Sequence, residues 1–328
     1  MRTLHLIVLF AAIAMAAGCE SLRSWLTDAN RPRGAVESVS AEKLVKYLNN
    51  HAAALQSIEY ESVQVRVYAK GWPSPIVEGS LACAQPRYFR MNVGKMSATV
   101  DVGSNQEQFW AYTKIPTQEP DFVYASHIDY ETGRAKLPGN LPFDTDWVMQ
   151  AFGMATFPMP GPEGAPVRTT AQRPTSVAAS PPPTDRISVT INQKDRTYTL
   201  VWPTTAPGGT RVLKEVVFDA DPVTGTRPQV RKHVVRDATT MKVIATAEIK
   251  AVQSVSVTNP ITKAATAIQY PTRAVLKWEE LNFETDMWLD RAHINQPLVT
   301  DSRKLFTRPV IRGAQPFNLA GGVDFPPQ

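Results

Sequence analysis

SAEKLVKYLNNHAAALQSIEYESVQVRVY, residues 40–68, sets two periodicities end to end. In its first part Leu44, Val45, Leu48, Ala52 and Leu55 recur at helical spacing and make one apolar face. Ser40 offers a hydroxyl to the first turn, Glu42 sits where the helix dipole favours an acid, and Val39 can fold back onto Leu44. The spacing predicts a helix over Ser40–Ile58. Beyond it Val63, Val65 and Val67 alternate with Gln64, Arg66 and Tyr68, the pattern of a strand with one buried and one wet face. A one-faced helix must lay its apolar stripe on something, and the strand that follows points to a sheet.

The same alternation recurs downstream. Ala98, Val100 and Val102 alternate with Ser97, Thr99 and Asp101; Ile187, Val189 and Ile191 with Ser188, Thr190 and Asn192; Tyr198, Leu200 and Trp202 with Thr197 and Thr199. Polar turns such as Gln193-Lys194-Asp195 and Asp237-Ala238-Thr239-Thr240 separate the runs. About ten strand-like segments at regular spacing favour a sandwich, a barrel or a strongly curved sheet. A second, short helix is expected from Asp144 or Thr145 through Trp147, Val148 and Phe152. Residues 158–185, rich in Pro, Gly, Ser, Thr and Ala, have little to bury and read as a mobile loop. Residues 311–328 read as a loose tail.

The N-terminus carries an address. Arg2 precedes an apolar run from Leu4 to Met15, and Ala16-Ala17-Gly18-Cys19 closes it. Small residues before a cleavage point mark a secretory signal. A cysteine directly after them resembles the bacterial lipobox, with Ala16 where Leu is usual. The run is shorter than the roughly 20 apolar residues a membrane span needs. The expectation is a signal peptide over 1–18, cleavage between Gly18 and Cys19, lipid attachment at Cys19, and a flexible tether over 19–38. Glu20, rather than Asp, after the lipidated cysteine points to an outer membrane, facing the periplasm, in a double-membraned host.

Composition and charge exclude several function classes. The chain is 43% hydrophobic and 20% charged, ordinary for a globular protein, and its formal net charge is only +5. No basic run is interleaved with aromatics, and export argues further against nucleic acid. The densest positive stretch, Arg227, Arg231, Lys232, His233 and Arg236, reads as the solvated part of a strand. With Cys19 acylated, Cys83 has no partner for a disulfide and reads as a small buried hydrophobe. Enzyme signatures are missing. Ser80 and Ser104 lack a nucleophile's strained elbow. His51, His127, His233 and His293 are far apart, with no helical metal-ligand spacing. Asp121, His127, Asp129 and Glu131 read as an exposed polar loop end rather than a metal site. No cofactor, metal or catalytic residue is expected.

Several local patterns, taken in order, resemble the LolA/LolB family of lipoprotein carriers and its lipoprotein-sorting relatives. These are Gly79-Ser80-Leu81 with Pro86-Arg87-Tyr88-Phe89-Arg90, then Asp101-Val102-Gly103-Ser104-Asn105 with Phe109-Trp110-Ala111-Tyr112. Leu141-Pro142-Phe143 with Trp147-Val148 follows, and last Asn295-Gln296-Pro297-Leu298 with Leu305-Phe306 and Pro309. The resemblance spans about residues 40–310 and implies one domain over 39–310. It implies an α+β fold, mainly β: a curved antiparallel sheet forming an unclosed half barrel. The N-terminal amphipathic helix and the short second helix would cover its concave face.

It further implies a non-catalytic protein with an apolar cleft suited to acyl chains. The lining candidates are Leu48, Leu55, Val65, Val67, Leu81, Phe89, Met91, Val100, Val102 and Phe109. On pattern alone these residues serve equally as ordinary core. LolA is soluble whereas this chain carries a lipidation signal, so a fixed holder at the membrane is expected rather than a shuttle. The expected partners are the membrane, through lipid on Cys19, and a lipid or a lipoprotein acyl chain. An interaction or envelope-sensor module that docks a protein partner on the same fold is the alternative.

Overall fold

Helix α1 (Ala41–Ala54) begins where the sequence places its cap: Ser40 Oγ accepts from the backbone N–H of Lys43 at 3.2 Å. The computed structural model describes residues 35–68, 76–96, 98–114, 119–136, 145–160, 167–170, 186–207, 209–220, 228–259, 263–297 and 302–323. Expectations for Gly18, Cys19, the signal, most of the tether and Leu141-Pro142-Phe143 therefore lie outside the described residues. The described residues from Ser38 onward form one compact unit. No helix among the described residues is long and apolar enough to cross a membrane.

The helix stops at Ala54, not at Ile58 as its periodicity suggests. Ile58 belongs instead to β1 (Ser57–Tyr68), fully buried between Cys83 and Ile294 on the neighbouring strands. Backbone donors run out in the last turn of the helix, and side chains supplement them at its carbonyls. Gln85 Nε2 donates to Ala52 O (2.6 Å) and Leu55 O (3.1 Å), and Gln56 Nε2 donates to Ala53 O (2.8 Å). Asn295 Nδ2 donates to Ala54 O at 2.6 Å, while its Oδ1 accepts from the N–H groups of Gln56 and Ser57. Asn295 has φ of 52°, a left-handed conformation that asparagine tolerates better than most residues.

Six strands follow one another along the first half: β1, β2 (Ile76–Ala84), β3 (Tyr88–Lys95), β4 (Ala98–Ser104), β5 (Gln108–Lys114) and β6 (Asp121–Ser126). The second half supplies β7 (Val167–Thr170), β8 (Ser188–Asn192), β9 (Thr197–Thr205), β10 (Arg211–Asp219) and β11 (Gln229–Asp237). The long strands β12 (Val243–Thr258), β13 (Ala265–Trp278) and β14 (Phe283–Ile294) then precede two short ones, β15 (Phe317–Asn318) and β16 (Gly322–Val323). Among the described residues they form one unclosed sheet, ordered β16-β15-β6-β5-β4-β3-β2-β1-β14-β13-β12-β11-β10-β9-β8-β7. Pairing is antiparallel except β15 with β6 and β7 with β8. Hairpin neighbours account for most of it; the exception that matters is β1, which pairs with β14 and joins the two halves. Register shifts at Tyr60/Val63, Val217/Phe218, Val235/Arg236 and Ile249/Val252 mark bulges, which bend and twist a sheet. The architecture is the expected one: α+β, mainly β, an open curved sheet with helices on its concave face.

Three local expectations need correction. Val167–Thr170, inside the stretch read as a mobile loop, is an edge strand; residues 161–166 and 171–185 of that stretch lie outside the described residues. The stretch read as a loose tail is ordered where described: Phe317–Asn318 pairs with β6, and Leu319 N–H donates to Tyr124 O. Asp101, read as a wet-face residue, is buried on the convex side. There it accepts from Arg90 Nη2 (2.7 Å), Asn92 Nδ2 (2.9 Å) and Trp110 Nε1 (3.1 Å). Trp110 lies so close over Gly103 that a Cβ there would meet its ring at 2.1 Å, which explains the glycine. Around this hub Trp110, Tyr112, Phe122 and Tyr124 form an outer apolar layer that Ile311 and Ala314 join. The alternation rule failed here because the C-terminal segment covers the convex face.

Asn295→Ala removes three hydrogen bonds and places alanine at a positive φ. It is expected to lower stability in urea unfolding by about 2 kcal/mol or more. A loss under about 0.5 kcal/mol, the range of an ordinary surface change, would contradict the role given to this residue.

Candidate functional site

On the concave face the two halves of α1 meet different parts of the sheet. Ala41, Leu44, Val45 and Leu48 pack with Val189, Leu200, Trp202, Val216 and Phe218 of β8–β10. Ala54 and Leu55 belong to the main core, with Ile58, Tyr60, Val63, Val65, Leu81, Phe89, Met287 and Leu289. Helix α3 (Thr145–Ala151) and the turn after it complete that core. Trp147, Val148, Met149, Ala151, Phe152 and Met154 are all buried within it. Trp147 meets Trp278 edge-on at 6.3 Å, and Phe152 lies 6.5 Å from Tyr60, whose hydroxyl donates to Pro271 O.

Polar contacts hold the 145–157 segment in place at three points. Arg87 forms a two-pronged pair with Asp146 (2.9 and 2.8 Å) and also reaches Glu131. These carboxylates raise the Arg87 pKa against the opposing effect of burial, which is the largest single cause. Asn49 on α1 exchanges two hydrogen bonds with the backbone of Phe157, at 3.0 and 2.7 Å. His51 Nδ1 lies 3.2 Å from Gly153 O, and its Nε2 lies within reach of the backbone of Gln269. Gly153 has φ of 76°, and a Cβ there would come within 2.7 Å of the His51 ring. The segment is a plug: greasy on the sheet side, stitched to α1 through its main chain.

A cavity of about 50 Å³ lies between α1, the plug and strands β11–β13. Its wall includes Leu48, His51, Gln150, Phe152, Phe157, His233, Ile249, Val252 and Gln269. A buried water needs about 10–15 Å³ on this measure, so a few waters fit. An acyl chain does not: ligand pockets run to about 300–1,000 Å³.

The expected lining residues divide by place. Leu55, Val65, Leu81 and Phe89 are buried in the main core, with Val67, Met91, Val100 and Val102 half-buried against it. Leu48 sits instead in the cluster under the N-terminal half of α1. Phe109 packs with Ala125, Tyr130 and Ala135, beneath helix α2 (His127–Glu131). The ten residues therefore do not line one open cleft; eight share the main core, and side chains fill it.

Sequence reading named the short helix but not its role as filler, because Trp147 and Phe152 carry no signal separating plug from wall. It also misplaced two histidines. His233, read in a solvated basic stretch, faces the core and stacks on Phe157. His127, read in an exposed loop end, is buried in α2, with Nε2 2.8 Å from Asn105 O. Among the described residues no group of three or more His, Cys, Asp or Glu is placed to hold a metal ion. Cys83 is fully buried, and burial pushes its thiol pKa up.

No family model matches the sequence, and no curated protein matches it. In structure the chain is similar to a LolA superfamily protein from Nitrosomonas europaea, at 10% identity and TM-score 0.39. That match covers 83% of this chain and 99% of the other. It is also similar to a domain from Vibrio parahaemolyticus described as outer membrane lipoprotein-sorting (7% identity, TM-score 0.45, 82% and 98% covered). A DUF1329 family protein from Desulfovibrio piger is similar as well (7% identity, TM-score 0.33, 79% and 93% covered).

Of the two histidines at the cavity, His233 enters the fold neutral. Burial lowers the pKa of His51, and burial followed by the nearby Lys214 lowers that of His233 to about 3. Below the ordinary imidazole value the unfolded chain takes up protons that the folded state refuses. Stability is therefore whole above that value and falls as pH drops through the window toward the depressed folded pKa. Between pH 6.5 and 5, His233→Leu is expected to flatten the decline in urea-unfolding stability, by up to about 1.4 kcal/mol per pH unit. Parallel profiles for the two proteins would contradict this account.

Proposed function

We propose that this protein is a non-catalytic, membrane-tethered lipoprotein of the bacterial envelope. It would hold a lipid or acyl chain between the concave sheet face and the α3 plug, in service of envelope lipid or lipoprotein traffic. The observation that carries the reading is the apolar concave face covered by a separate short helix. Helix α3 is seven residues long. Such a helix is too short to be stable by itself, and it owes its place to the face it covers. Its Met149, with Met154 beyond it, supplies flexible, polarisable side chains that repack around varied apolar shapes. An acyl chain entering here would replace one apolar filling by another, gaining about 25 cal/mol for each Å² it buries. The order of sequence motifs resembling LolA/LolB proteins supports the same reading, as does the lipobox-like Ala16-Ala17-Gly18-Cys19. The tether makes the protein a fixed holder, on the periplasmic face of the outer membrane in a double-membraned host.

The filled interior favours one second reading, a protein-interaction or envelope-sensor module that uses the fold without lipid cargo. Purification of the full chain as Cys19→Ala, followed by lipid extraction and mass spectrometry, separates the two. The proposed function predicts a co-purifying lipid in near-stoichiometric amount. An empty protein that brings down a defined envelope protein instead would support the second reading and overturn the first. For the tether, radiolabelled fatty acid is expected to enter the wild type and not Cys19→Ala; equal labelling of both would refute lipidation at Cys19.

A further inference from the structure

The cavity beneath the plug is walled by two residues that each keep a buried polar atom without a partner. His233 is 2% exposed, and its Nδ1 meets no hydrogen-bonding group. Gln150, 7% exposed, donates through Nε2 to Thr156 O while its Oε1 accepts nothing. His51, also in the wall, is already matched to the backbones of Gly153 and Gln269. Buried polar groups in folded proteins are nearly always satisfied, so two orphans on residues that line one cavity call for a cause. No Asp, Glu, Lys or Arg lines the space, and burial disfavours the charged form of both histidines in its wall, so a charged ligand end would find no ready counter-charge there. An amide oxygen only accepts, whereas a neutral imidazole nitrogen donates or accepts according to its tautomer. The cavity also lies where the two apolar clusters meet, with Phe152 from one and Leu48 and Phe157 from the other.

We propose that this cavity seats the polar end of the ligand: an uncharged group with an O–H or N–H, bound between Gln150 Oε1 and His233 Nδ1. The attached chain displaces the plug's side chains from the concave face. The ligand class is thus an acyl or alkyl chain ending in a hydroxyl or amide, not one ending in a phosphate or a carboxylate. This rests on the acyl-binding reading above and narrows it.

The test uses the full chain as Cys19→Ala and three ligands of equal chain length: oleyl alcohol, oleamide and methyl oleate, the last unable to donate. Affinities are read by competition with a fluorescent acyl probe. The two donors are expected to bind about tenfold more tightly than the ester, and their ranking tells hydroxyl from amide. Gln150→Met and His233→Leu should each shrink that preference. His233→Leu should not lower stability at pH 7.5, because Nδ1 has no hydrogen-bond partner in the protein, whereas Gln150→Met also loses the Nε2 bond to Thr156 O and is expected to cost about 1 kcal/mol. Equal affinity for all three ligands, or a preference that survives both substitutions, overturns this inference and leaves acyl binding standing. Loss of stability at pH 7.5 in His233→Leu marks its ring as structural and also counts against it. Failure of every ligand to bind overturns both readings.

Discussion

The carbonyls at the C-terminal end of α1 are the constraint on which the concave side depends. Gln85 follows β2 and Asn295 follows β14, and these strands flank β1 in the sheet. Their amide side chains grip Ala52, Ala54 and Leu55 from both sides, so the helix end is fixed to the strand that joins the two halves. A helix end buried without such partners would leave backbone acceptors unsatisfied, at about 1–3 kcal/mol each. With the end clamped, the rest of α1 must cross to the second half. There Leu44, Val45 and Leu48 find β8–β10. An open sheet gains from one helix what a barrel gains from closure: its two halves share a cover.

What α1 leaves bare, α3 covers. The plug is held by one partly exposed ion pair and by hydrogen bonds from α1 to its main chain. Its apolar side chains supply most of its hold, and hydrophobic contact is non-directional. That combination suits a part meant to be exchanged for another apolar occupant. The polar atoms beside it do not fit a finished core, since a core built only for stability would place apolar side chains where His233 and Gln150 stand.

Much of this was legible in residues 40–68 and in the alternation that follows. Ser40 marked the start of α1, and the apolar stripe marked its buried face. The helix end was not legible, because Leu55 and Ile58 continue the stripe, and only the pairing of β1 with β2 and β14 decides where helix gives way to strand. Asp101 was misread for a related cause: alternation reports one buried face, whereas β4 and β5 are buried on both. The convex cover comes from residues beyond 300, too far in sequence for a local pattern to reveal. His233 sits among charged neighbours on β11, and its inward orientation follows from strand register that composition cannot supply. For the site, apolar type identified eight residues of the main core. It could not tell wall from filler, because both are apolar.

The central claim is that the space now held by the plug accepts an acyl chain. The most direct measurement is photolabelling of the Cys19→Ala chain with an alkyl-diazirine fatty alcohol, followed by peptide mapping. The account predicts label on residues 147–157 and on inward residues of β1 and β13, competed away by unlabelled ligand. Label confined to the convex face around Trp110, or label that unlabelled ligand fails to displace, would contradict it.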